Sequence, residues 1–358
     1  MWPDRRILDL LGLELPILQA PMAGPVDSEM VIAVSEAGGL GGLPCALMTP
    51  EKARAELGII RQRTARPINI NFFCHKQPED DPAREAAWKR RLEPFYFELG
   101  IDPSAPAPRS ARAPFDAEFC DIVEEFRPEV VSFHFGLPDA ALLDRVKATG
   151  AKVLSSATTA DEAVWLEERG CDAIIAQGAE AGGHRGIFLT DDVANQPGTF
   201  ALVPQVVDAV KVPVIAAGGI ADARGVVAAF VLGASAVQIG TAYLFCPEAK
   251  VAAPHKEVLR TAKDDHTALT NVFTGRPARG IVNRIMREVG PMSDLAPAFP
   301  LAGGALAPLR AKSEPLGSGD FMSLWSGQAA RLGREMPAAE LTRALADEAQ
   351  LLLARFAR

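Results

Sequence analysis

The sequence predicts an α/β protein, a (β/α)8 TIM barrel with a smaller, mainly helical insertion over the active-site face. Short β-branched or apolar runs bounded by Gly, Pro or Asn recur eight times along the chain. Segments with helical periodicity separate them. The chain has 358 residues, and a barrel of this kind takes about 250, which leaves roughly 108 for additions. Strands that are apolar on both faces and alternate with helices belong in a parallel sheet covered on both sides, and eight such units favour a closed barrel over a doubly wound sheet.

The eight strands are read in chain order at 16–20, 39–43, 67–73, 129–135, 152–156, 173–177, 213–217 and 236–240. Between the third and fourth strands, residues 74–118 form a Pro- and Arg-rich excursion with a helical piece at Ala86 to Phe97. Phe119, Ile122, Val123 and Phe126 then share one face of a helix that ends before Pro128. Thr159-x-x-Glu162 reads as a capping box and Gly170 as the stop of the following helix. Asp222 opens a helix through Leu232, ended by Gly233. The last barrel helix is placed at Ala338 to Phe356, so residues 244–317 are an insertion. The expected organisation is therefore a barrel over 1–243, a lid over 244–317 and a barrel completion over 318–358. Both additions follow strands and so fall on the face where barrels keep their chemistry.

Composition limits the function classes. With 37 Lys+Arg against 45 Asp+Glu the formal net charge is −8, which argues against nucleic acid or an anionic membrane as partner. Cys45, Cys74, Cys120, Cys171 and Cys246 are scattered and form no C-x-x-C pair, as expected of thiols in a reducing compartment with no zinc framework. Asp4, Asp9 and Glu14 interrupt any signal-peptide core. Gly225 to Pro247 carries no charge but divides into a helical half and a strand half, so it reads as protein core. A cytoplasmic enzyme acting on a small molecule, as monomer or homodimer and without a metal, is the expectation.

Three of the five histidines fall at predicted strand ends. His184 lies in Gln177-Gly-Ala-Glu-Ala-Gly-Gly-His-Arg-Gly186, where glycines let the chain bend around a ligand; an imidazole there can be a neutral base or a cationic donor. His134 interrupts the apolar run Val130-Val-Ser-Phe-His-Phe135, and His75 opens the long excursion; both are candidate substrate contacts. Ala217-Gly-Gly-Ile220 and Gln238-Ile-Gly-Thr241 end the seventh and eighth strands, where barrels build phosphate sites from backbone N–H groups. The chain has no G-x-x-x-x-G-K-[ST] loop and no G-x-G-x-x-G fingerprint. Such a phosphate site suits FMN.

These segments, with Pro16-Ile-Leu-Gln-Ala-Pro-Met-Ala-Gly24, Asn69-Ile-Asn-Phe-Phe-Cys-His75, Ser132-Phe-His-Phe-Gly-Leu-Pro138 and Leu324-Trp-Ser-Gly-Gln328, resemble the nitronate monooxygenase family, formerly called 2-nitropropane dioxygenases. The resemblance implies non-covalent FMN in a TIM barrel and oxidation of alkyl nitronates, possibly nitroalkanes, by O2 to a carbonyl compound and nitrite. It implies FMN contacts at Pro21, Met22, Asn71, Gln177, Gly182, Gly183, Gly218, Gly219, Gln238, Ile239, Gly240 and Thr241. It makes His184 the catalytic residue. Residues 299–307 carry no polar side chain, so an apolar pocket favouring a bulkier substrate is expected from them. The alternative is an FMN-dependent NAD(P)H reductase of quinones or enoyl thioesters, which shares the barrel and the Ala-Pro-Met and Ala-Gly-Gly-His elements; a flavin-binding protein without turnover is a third reading.

Overall fold

Each of the eight apolar runs is a strand. The computed structural model describes residues 2–356 except 105, 107 and 109–111. Its strands are β1 (Ile17–Gln19), β2 (Gly41–Pro44), β3 (Ile68–Phe73), β4 (Val130–His134), β5 (Lys152–Ala157), β6 (Ala173–Gln177), β7 (Gly183–His184), β8 (Val214–Ala217), β9 (Ala236–Ile239), β10 (Thr267–Thr270) and β11 (Ala278–Ile281). Eight of them form one parallel sheet in the order β1-β9-β8-β6-β5-β4-β3-β2. A parallel bridge between Leu18 and Leu40 joins its two ends and closes the barrel. These strands are buried almost throughout, which is why they read as continuous apolar runs rather than alternating ones.

The surrounding helices carry the caps expected of them. Asp222 accepts from the N–H groups of Arg224 and Gly225 ahead of the helix Ala223–Val231. Thr159 Oγ1 accepts from Glu162 N–H at 3.2 Å, but the other half of the capping box is absent. The Glu162 carboxylate is fully buried and accepts instead from Thr158 N–H, Phe188 N–H and Leu189 N–H, so it staples the chain after β7 to the start of its own helix. The C-terminal helix spans Ala338–Phe356 and buries Leu341, Leu345, Ala346 and Ala349. Gly225 to Pro247 is helix, strand and 3-10 turn, and among the described residues no helix is long and apolar enough to cross a membrane.

The two additions share one core. Trp88, Leu92, Phe95 and Tyr96, from the helix Pro82–Glu98, pack against Val272, Phe273, Ile285, Met286, Leu306, Leu309 and Phe321 in a cluster of its own. Leu92, Ile285 and Leu309 are wholly buried there; each such side chain stabilises the unit by about 1.5–3 kcal/mol. Trp88 Nε1 donates to Ala302 O at 3.1 Å and Tyr96 Oη to Ala305 O at 2.6 Å, so the rings enter the core with their polar atoms satisfied. Helices Ala253–Thr261, Arg284–Val289 and Gly303–Ser313 dominate the insertion, yet it also carries a hairpin. β10 and β11 pair antiparallel, and β11 pairs with β7, making a three-stranded sheet. The stretch around His184, expected as loop, is thus the edge strand of a lid sheet.

Candidate active site

A cavity of about 590 Å³ opens at the C-terminal ends of the barrel strands beneath this lid. Pro21, Met22, Asn71, His134, Gln177, Gly182, Gly183, His184, Gly218, Gly219, Gln238, Gly240 and Thr241 line it. Two residues expected there do not. Ile239 is buried in the barrel core, because strand alternation turns it away from the face that Gln238 and Gly240 present. His75 is buried behind the wall, edge-on to the Phe299 ring with 4.8 Å between ring centroids. Residues 299–307 also stay out of the wall: Phe299, Ala302, Ala305 and Leu306 are buried in the lid. The apolar character near His184 comes from Phe299, Trp325 and Phe73, whose ring centroids lie 5.4, 5.5 and 5.9 Å from its own, so the 299–307 segment contributes through Phe299.

Backbone approach explains the glycines. At Gly182 a Cβ would stand 2.5 Å from Gly327 N and 2.6 Å from Ser326 C, so only glycine lets the Ser326-Gly327 segment lie against the chain that follows β6. Gly218 has φ +110°, a conformation that L side chains rarely adopt, and a Cβ there would come within 2.9 Å of Thr199 Oγ1.

His184 is held from several directions. Gln177 Nε2 donates to its carbonyl at 3.0 Å, while Gln177 Oε1 accepts from Gly186 N–H at 2.7 Å. The His134 ring also reaches that carbonyl, with Nε2 3.2 Å away, and its Nδ1 lies 3.0 Å from Ser156 Oγ. A carbonyl can only accept, so His134 carries its proton on Nε2 and accepts from Ser156 at Nδ1. Arg185, buried, donates to Gly178 O at 2.6 Å and Gln177 O at 2.7 Å. On the imidazole itself, Nε2 lies 3.0 Å from Thr274 Oγ1, whose hydroxyl donates to Arg276 O at 3.3 Å. Assigning that proton to the Arg276 carbonyl makes Thr274 the acceptor of His184 Nε2–H and leaves the lone pair on Nδ1.

Burial keeps these rings neutral. It pushes His184 well below the usual imidazole range, and the charges of Arg112 and Arg276 and the His134 and His75 rings push the same way. His134 falls to about 4, mainly by burial and against its bond to the His184 carbonyl. His75 falls to about 4 by burial and by Arg276 and Arg112. A cationic role for His184 in the resting site, left open by the sequence, does not suit this environment; a neutral base does. Arg112, Ser156, Thr274 and Trp325 complete the surroundings. Only Trp325 stood in a recognised motif. The other three sit in segments whose contacts with the site arise solely from the fold.

Enzymes of this architecture carry out their chemistry at the carboxyl ends of the barrel strands, and this chain is of that class. The family described as nitronate monooxygenase matches residues 4–348. A nitronate monooxygenase from Pseudomonas aeruginosa is 42% identical over 346 residues, 96% of this chain and 98% of the relative. The structure of a nitroalkane oxidase from Streptomyces ansochromogenes superposes with a TM-score of 0.89 at 36% identity, covering 98% of this chain and 99% of that one. FabK from Thermotoga maritima is similar at a TM-score of 0.74 and 28% identity, covering 99% of both chains. The chain belongs to the nitronate monooxygenase family and is an enzyme of that type.

Proposed function

We propose that the protein oxidises alkyl nitronates, and neutral nitroalkanes after removal of their α-proton, with O2 as oxidant and FMN as cofactor, giving a carbonyl compound and nitrite. The observation that carries this reading is His184 at the wall of the cavity, its Nε2 3.0 Å from Thr274 Oγ1 in surroundings that disfavour its charged form. The residues present fit FMN. A Cβ on Gly24 or Gly183 would meet nothing within 4 Å, and one on Gly240 only Ala20 Cβ and Met22 Sδ at 3.5 and 3.6 Å, so backbone faces open cavity on several sides. The volume of about 590 Å³ falls within the roughly 300–1,000 Å³ of cofactor and ligand sites.

Met22, Asn71 and the glycine turns after β6, β8 and β9 would hold the cofactor, with the phosphate near Gly218, Gly219, Gly240 and Thr241. When bound, the flavin supplies electron transfer and oxygen chemistry. His184 Nδ1 takes the α-proton of a neutral nitroalkane, and Thr274 keeps Nε2 protonated while it does so. Gln177 and His134 hold the His184 backbone so that the ring cannot drift. Phe73 and Trp325 receive the alkyl chain and exclude water.

The test is flavin absorbance under anaerobic conditions on mixing with an alkyl nitronate, and separately with NADH and NADPH, followed by nitrite release in air. Bleaching by nitronate, nitrite formation and little response to either nicotinamide are expected. Rapid bleaching by NADH or NADPH with none by nitronate refutes the proposal in favour of the reductase reading.

A further inference from the structure

Two stretches of backbone flank His184, and four side chains connect them. Resting on the role of His184 as base given above, we infer that Glu162, Thr158, Gln196 and Arg185 form one hydrogen-bonded positioning chain that fixes the base, although none of the four lines the cavity. On one side of His184, the Arg185 guanidinium donates to Gly178 O at 2.6 Å and Gln177 O at 2.7 Å. The Gln177 amide in turn holds the His184 carbonyl at 3.0 Å and Gly186 N–H at 2.7 Å. On the other side, the Glu162 carboxylate accepts from Phe188 N–H at 2.7 Å and Leu189 N–H at 3.3 Å. Gln196 and Thr158 join these two clamps.

Each link has a single sense. Arginine can only donate, so Arg185 Nε donates to Gln196 Oε1 at 2.7 Å. That turns the Gln196 amide nitrogen toward Thr158 Oγ1, and the Thr158 hydroxyl, having accepted there, donates to Glu162 at 2.6 Å. A carboxylate ends the series because it can only accept. Arg185, Thr158 and Glu162 are wholly buried, so two opposite charges out of reach of water are satisfied through the neutral groups between them. The Glu162 charge favours the charged form of Arg185 against its burial. Thr158 directly follows β5 and Gln177 ends β6, its parallel neighbour. The chain thus ties the ends of two adjacent strands to the segment that leaves His184, and removing a middle link leaves buried groups unpaired on both sides of the break.

The test uses the purified flavoprotein with Thr158→Val, which removes the middle hydroxyl at nearly constant volume, Thr158→Ser, which keeps it, and Gln196→Leu, which breaks the next link. Kinetics on a neutral nitroalkane and on its nitronate are read beside flavin content and backbone hydrogen exchange of residues 184–189. Thr158→Val and Gln196→Leu are expected to keep full flavin and to lower the nitroalkane kcat about tenfold at a KM within about twofold. Nitronate kcat/KM stays within about threefold, because a nitronate has no α-proton for His184 to take. Exchange of residues 184–189 rises about tenfold. The double variant loses no more than about twice what either single variant loses, since both cut one chain. Thr158→Ser returns the nitroalkane kcat to within about twofold of wild type. An unchanged nitroalkane kcat in Thr158→Val, equal losses on the two substrates, or losses that multiply in the double variant overturn the inference. Should Thr158→Val fail to fold, Gln196→Leu, at a half-buried position, decides by the same criteria. A wild type that oxidises no neutral nitroalkane refutes the role given to His184 and not the chain. Exchange then decides: equal rates in Thr158→Val and wild type overturn the chain, and exchange about tenfold faster supports it.

Discussion

Replacing Thr274 by Val removes one hydroxyl at nearly constant volume and separates the tautomer argument from simple packing. Thr274 is 2% exposed, and its Oγ1 contacts His184 Nε2 at 3.0 Å and Arg276 O at 3.3 Å. Leaving the half-buried His184 Nε2–H unpaired costs about 1 kcal/mol of stability, read as a lower thermal or urea midpoint. On the catalytic side, a hydrogen bond of about 1 kcal/mol biases the two tautomers roughly fivefold, so its loss alone costs less than about twofold in the productive form. Loss of ring orientation adds to this, and a total of about tenfold to a hundredfold in kcat on a neutral nitroalkane is expected. A nitronate has no α-proton to give up, so its turnover falls less. Thr274→Ser keeps the hydroxyl and restores the nitroalkane rate. Stopped-flow flavin reduction with each substrate measures both effects. A Thr274→Val enzyme with full flavin whose nitroalkane rate stays within twofold of wild type, or falls equally with nitronate, refutes the assignment of Nδ1 as the base.

Other perturbations probe the rest of the site. Gly218→Ala places a Cβ at φ +110° and 2.9 Å from Thr199 Oγ1; the purified protein is expected to lose flavin affinity by at least about tenfold, or 1.4 kcal/mol, and unchanged flavin content after dialysis refutes the role of this turn. Ser156→Ala removes the donor to His134 Nδ1 and loosens the support of the His184 carbonyl; retained flavin with kcat reduced about threefold to tenfold is expected from misorientation, and an unchanged kcat counts against His134 as a positioning residue. Acid should destabilise the fold before its carboxylates titrate. His75 and His255, both buried, drop from 6.5 to about 4 in the folded protein, so the unfolded chain binds more protons and stability is full above 6.5 and lost as pH falls through that window. At pH 5 each contributes a loss of about 2 kcal/mol; equal urea midpoints at pH 7 and pH 5 contradict this.

The barrel was legible because its signals are local. Parallel strands covered on both faces must be apolar throughout, and Asp222, Gly170 and Gly233 mark helix ends through backbone geometry that any sequence reading can use. His184 could be singled out because glycines flank it. The lid sheet could not: β7 is two residues long, and its partner β11 lies some ninety residues further along the chain. Thr274 is likewise 90 residues from His184 in sequence, and no periodicity marks it. Glu162 shows the limit of local rules most directly. Its spacing from Thr159 matches a capping box, yet its carboxylate turns to Phe188 and Leu189, 26 and 27 residues away. Ile239 departs for the opposite reason: it belongs to the Gln-Ile-Gly-Thr motif, but strand alternation sends every second side chain into the core.

The division of labour in the site follows from the shared lid core. Arg112 ends one excursion and Thr274 sits in the other, and neither segment has a barrel strand of its own to position it. The packing of Trp88, Leu92 and Phe95 against Phe273, Ile285 and Phe321 ties the two excursions together. Phe115 at β3 and β11 at β7 then tie that unit to the barrel. The hydroxyl that orients the base is thereby brought by a different segment from the histidine itself. Thr274→Val should therefore act mainly on the nitroalkane. A mutation within the lid core, such as Phe273→Ala, removes a buried ring at a cost of about 3–5 kcal/mol and loosens both excursions at once. Such a variant should lose rate on both substrates together while its barrel still binds flavin; selective loss on one substrate would show that the two excursions position their residues independently.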